Sequence, residues 1–117
     1  MKTRYPLPEW ASPHPTDDNA VLVDPDKAYP AILDELGVIK PTKFDIETAY
    51  QFIKLDLQHA LGRFNFTIHI RSDGERKMRW NLSMFPGTKE DILLATKRQG
   101  ARRRYIKLRG FIPSLTE

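Results

Sequence analysis

Cysteine is absent from the 117-residue chain. That excludes disulfides, thiolate metal sites and cysteine nucleophiles, and it suits a reducing compartment. Histidine is scarce: His14, His59 and His69 stand far apart, without the carboxylate spacing of a metal site. No apolar run approaches the length of a membrane helix. The first residues, Met1 to Pro6, lack the apolar stretch of a signal peptide. These features predict a soluble, cytoplasmic protein without a membrane partner. Catalytic signatures are missing too: there is no phosphate-cradling glycine loop, nucleophile elbow or zinc pattern. The acidic pairs Asp17/Asp18, Asp34/Glu35 and Glu90/Asp91 are adjacent in sequence. Neighbouring side chains on a helix diverge, so these pairs do not make an acid–base couple. The expectation is a protein that is no enzyme and uses neither metal nor cofactor.

What the chain does have is charge, unevenly spread. Residues 1–61 carry 6 Lys/Arg against 10 Asp/Glu, whereas residues 62–117 carry 13 against 5. Such asymmetry points to an anionic partner, or to halves that neutralise each other. Proline is the second excess. Five of the nine prolines fall within residues 1–25. Proline fixes φ and removes a donor, so this stretch reads as an extended arm with one short strand-like piece at Ala20–Val23. Tyr5, Leu7 and Trp10 are its anchors. A single domain is expected over residues 26–117.

Within that domain, a first helix is expected from Asp26 or Tyr29 to Leu36, with Pro30 favouring the later start and Gly37 ending it. A second is expected from Asp45 to Leu61. Thr42 or Asp45 caps it, Gly62 ends it, and Ile46, Ala49, Tyr50, Ile53, Leu57, Ala60 and Leu61 recur at helical spacing. Glu47, Gln51, Lys54 and Gln58 form its polar side. Phe52 and Leu55 fall off the apolar stripe. With Trp10 they are candidate protein contacts, and Phe52 and Leu55 also suit a homodimer.

The period then shifts to two. Phe64, Phe66, Ile68 and Ile70 alternate with polar residues, and Met78, Trp80, Leu82 and Met84 resume the alternation after a turn at Gly74. This predicts an antiparallel hairpin. A further helix is expected over 88–99, ended by Gly100, and a last strand over 103–112, where Ile106 and Leu108 alternate with Tyr105, Lys107 and Arg109. The predicted fold is α+β in the order α-α-β-β-α-β, with helices packed on one face of a small antiparallel sheet.

The hairpin register that keeps apolar faces together sets Ile70 against Met78 and Ile68 against Trp80. It also sets Arg71 against Lys77 and His69 against Arg79. Facing like charges destabilise a strand pair unless a counter-charge lies between them. From Lys97 to Arg109 there are seven Lys/Arg and no acid. The candidate anion-binding set is therefore His69, Arg71, Lys77, Arg79, Arg103, Tyr105, Lys107 and Arg109. Cations for phosphates beside an aromatic ring for bases suit nucleic acid. The alternative is an interaction module, inhibitor, adaptor or assembly subunit, docked on an acidic protein surface. A third reading has residues 1–61 covering the basic face from within the chain.

Overall fold

The computed structural model describes residues 2–70 and 99–113. Among them the chain forms a small α+β fold with three helices and a three-stranded mixed sheet. Strands β1 (Ala11–Pro13) and β2 (Ala20–Val23) come first, then α1 (Pro25–Glu35), α2 (Lys43–Leu61), β3 (Thr67–Ile70) and α3 (Gln99–Arg109). The expected strand over 77–84 and most of the expected helix over 88–99 lie outside the described residues.

The sheet order is β1-β2-β3. β1 pairs antiparallel with β2, placing Ala11 opposite Val23 and Pro13 opposite Val21. β3 pairs parallel with β2, placing Val21 opposite Ile68 and Leu22 opposite His69. The sheet is thus mixed where an all-antiparallel one was expected. A parallel neighbour needs a long crossover, and here α1 and α2 together supply it.

The proline-rich stretch supplies both the middle strand and an edge strand of the sheet. Pro13 is tolerated because β1 is at the edge, where a missing ladder donor costs least. Trp10 is buried, and its carbonyl accepts from the Asp24 amide at 2.9 Å. The amides of Arg4 and Tyr5 both donate to the Ala60 carbonyl, at 2.7 and 3.0 Å, so the N-terminal segment satisfies a carbonyl of the last turn of α2.

α1 starts earlier than Pro30 alone suggests. Asp24 is its N-cap, accepting from the Asp26 amide at 3.1 Å, and Pro25 follows at the first helical position. Pro30 sits inside the helix and is exposed. Pro25, Ala28, Tyr29, Ile32 and Leu33 turn inward at helical spacing. Gly37, at φ +74°, closes the helix while the Val38 amide reaches back to the Leu33 carbonyl at 2.9 Å.

α2 is fixed at both ends. Thr42 and Asp45 form a capping box: the Thr42 hydroxyl oxygen accepts from the Asp45 amide, and the Asp45 carboxylate accepts from the Thr42 amide at 2.9 Å. These hydrogen bonds from Thr42, and to a lesser degree the charge of Arg104, hold the Asp45 carboxyl below its ordinary range. Gly62 takes the left-handed C-cap at φ +76°.

Between these ends the helix is buried on nearly every side, as expected of an element sandwiched between others. Phe52, Ile53, Lys54 and Leu55 are all buried in succession. The polar side expected at Lys54 and Gln58 is therefore interior, and the Lys54 ammonium lies 4.6 Å from the centre of the Tyr50 ring. Phe52 and Leu55 belong to the chain's own core with Trp10, Val21, Val23, Tyr29, Ile32 and Tyr105. This corrects the assignment of Trp10, Phe52 and Leu55 to an external protein contact.

The final element is also corrected. Residues 99–109 form a helix where a strand over 103–112 was expected, and Gly100 lies inside it instead of ending a preceding one. Ala101, Tyr105 and Arg109 are spaced by four, which puts them on one helical face. Ala101 and Tyr105 are buried against α2, and Gly110, at φ +78°, ends the helix.

Candidate functional site

α3 has two faces of opposite character. Its inner face is held by one carboxylate of α2. Asp56 Oδ1 accepts from the Tyr105 hydroxyl at 2.6 Å and from Arg109 Nε at 3.1 Å, and Oδ2 accepts from Arg109 Nη2 at 2.8 Å. Arg109 Nη1 also donates to Glu35 at the end of α1. The guanidinium thus ties α3 to both α1 and α2. It lies 5.7 Å from the centres of both the Phe52 and Tyr105 rings, and those rings meet edge to face at 5.1 Å. A planar fork on a carboxylate is the geometry arginine favours, and lysine would not reproduce it.

Burial pushes the Tyr105 phenol well above its ordinary range, and the adjacent Asp56 charge adds to the effect. Asp56, followed by Glu35, raises Arg109 further. The sign of the linkage for Tyr105 follows from its raised value. Below about pH 10 the phenol is neutral in both states and its stabilisation is complete. Above that, only the unfolded chain ionises freely, so stability falls as pH rises toward the folded value. The stability advantage of the wild type over Tyr105→Phe is expected to shrink between pH 9 and 11, by as much as about 1.4 kcal/mol. Urea titrations at the two pH values read this directly. An unchanged gap would contradict the assignment.

Two members of the expected anion-binding set are therefore placed elsewhere. Tyr105 is inside, and Arg109 already has its counter-charges. Both counter-charges, Glu35 and Asp56, come from the acidic first half of the chain. Arg103 and Lys107, one turn apart on the outer face of α3, are exposed. Ile106 lies between them at 41 % exposure, and no acid occurs anywhere in the helix. His69 is exposed on β3, its ring centre 4.8 Å from that of His14. Arg71, Lys77 and Arg79 lie outside the described residues. The structure brings Arg103 and Lys107 together, whereas His69 stands on the sheet.

Beside α3 lies a second feature that sequence reading passed over. Phe44, in the first turn of α2, is 61 % exposed. With Glu47, Thr48, Gln51, Gly100 and Ala101 it lines a groove open to solvent, of about 50 Å³. The only signal for it in sequence is a large aromatic ring just after a capping residue, off the apolar stripe.

His59, in the last turn of α2, is held between Tyr5 and Phe111, with ring centres at 4.5 and 4.2 Å. It joins the N-terminal segment at Tyr5, and the residues after α3 at Phe111, to α2. Among the described residues no group of three or more His, Cys, Asp or Glu could hold a metal, and no helix is long and apolar enough to cross a membrane. Comparison with protein-family models, curated proteins and solved structures finds no match for the chain.

Proposed function

We propose that this protein is a small non-enzymatic binding module whose anionic partner is nucleic acid, held by phosphate contacts along the outer face of α3. The observation that carries this reading is an acid-free helix with Arg103 and Lys107 exposed one turn apart, while Arg109 on its inner face is already paired. A helix fixed by its inner face presents its outer cations in a set geometry, which reduces the ordering cost of binding. Phosphate contacts of this kind position a strand without reading sequence.

The test is fluorescence anisotropy of labelled oligonucleotides of mixed sequence at 50 and 200 mM salt. Binding that is clear at 50 mM and weakens steeply at 200 mM is expected, because neutralised phosphates release counterions. Absence of binding at 50 mM would end the proposal.

A second reading, docking on an acidic protein surface, has its own support. Ile106 and Leu108 are 41 % and 39 % exposed on the same helix as Lys107. Apolar side chains between cations suit a protein interface better than a phosphate backbone. Retention of a protein partner during purification, without excess absorbance at 260 nm, would favour it.

A further inference from the structure

The groove beside α3 gives the proposed interface a place for something other than phosphate. Its walls are the Phe44 ring and the first turn of α3 at Gly100 and Ala101. Nothing lies within 4 Å of where a Gly100 side chain would sit, so the groove is open on that side. The Thr48 hydroxyl donates to the Phe44 carbonyl at 3.0 Å, so its hydrogen is committed to the backbone. Gln51 contributes an amide, able both to donate and to accept, and Glu47 a carboxylate. Largely apolar walls with polar groups at Glu47, Thr48 and Gln51 suit a flat heteroaromatic ring that carries an N–H edge.

The cations are placed for the rest of such a ligand. Gly100, Arg104 and Lys107 follow one another at spacings of four and three, so they share one side of α3. Arg104 lies near enough to the capping box of α2 for its charge to act on Asp45. The groove and the cationic stripe are therefore contiguous, with the ring site at one end and the positive charges running away from it along the helix.

We propose that the groove takes an unpaired base, stacked on Phe44, of a strand whose phosphates lie along Arg103, Arg104 and Lys107. This rests on the nucleic-acid reading above and narrows it to single strands. A duplex keeps its bases stacked on each other and offers none to the groove, whereas a single strand offers a π-face at every nucleotide.

The probe is a single-stranded oligonucleotide carrying 2-aminopurine, with its duplex as control. The wild type is expected to quench the single strand's fluorescence and to bind it more tightly than the duplex. Phe44→Ala should weaken single-strand binding by between about fivefold and 150-fold, from the range for one base stacked on one ring. Phe44→Trp should retain binding. Neither substitution should alter the salt dependence. Phe44 is largely exposed, so the fold is expected to survive, and an unchanged circular dichroism melt checks this.

The two proposals fail differently. If Phe44→Ala binds as the wild type does while salt still weakens binding steeply, the base site is wrong and the phosphate reading stands. Equal binding of duplex and single strand has the same meaning. If neither oligonucleotide binds at 50 mM salt, both proposals fall. Capture of an acidic peptide in place of either oligonucleotide would likewise overturn the base site.

Discussion

Asp56→Ala is expected to lower stability by about 2–4 kcal/mol, well beyond the cost of losing a surface ion pair. The reason is what the change leaves behind. The Asp56 and Arg109 side chains are only 13 % and 18 % exposed. Without the carboxylate, the Tyr105 hydroxyl and two guanidinium N–H groups lose their acceptor in a place water reaches poorly. Glu35 stays on the guanidinium but is half exposed, so the desolvation of a largely buried charge is then only partly offset.

Glu35 provides the contrast. It contacts the same guanidinium, but its side chain is 44 % exposed. Glu35→Ala is therefore expected to cost under about 1 kcal/mol, as surface pairs do. In urea unfolding the Asp56→Ala midpoint should fall clearly below that of Glu35→Ala. Equal midpoints would show that the bridge from α2 to α3 is no stronger than a surface contact. The loss expected for Asp56→Ala is a large share of the roughly 5–15 kcal/mol by which a domain is stable. It would also loosen the helix that carries the proposed interface.

The second large effect concerns that interface. Arg103→Glu with Lys107→Glu is expected to reduce oligonucleotide affinity by more than about a hundredfold at 50 mM salt. Two phosphate contacts on a single strand account for about tenfold to a hundredfold at that salt, and reversal adds repulsion to their loss. Both residues are exposed, so the thermal midpoint should change little. A stable variant that binds as well as the wild type would remove α3 from the interface. The same variant with Phe44→Ala shows whether charge and ring act on one ligand. Their effects should combine only when the probe is single-stranded.

The contrast between α2 and α3 shows which features a sequence exposes. α2 is legible because its signals are local. Thr42 and Asp45 lie three apart, apolar residues recur every three or four positions, and Gly62 stops the run. α3 is easily misread because its inward face ends in a charged residue. Arg109 looks like a surface cation until its partner Asp56, 53 positions earlier, is known. Ile106 and Leu108 then supply a false period of two, although they stay partly exposed on the helix.

The first 25 residues hide their role for a related reason. Prolines remove any local pattern, and the pairing that makes β2 central joins Ala20 to Thr67 across two helices. Phe52 and Leu55 look surplus when α2 is given one partner layer. The structure gives it several. Of the site, the sequence shows the acid-free run and its cations Arg103 and Lys107. It does not show that Tyr105 points inward, or that Phe44 stands beside the stripe in its place.

The most direct test of the account is the slope of log affinity against log salt for a single-stranded oligonucleotide, compared between wild type and the Arg103→Ala, Lys107→Ala double variant. Each phosphate contact on a single strand contributes about −0.7 to that slope. The variant should therefore be shallower by about 1.4 and weaker throughout the range. A slope identical to that of the wild type would contradict the assignment of phosphate contacts to α3.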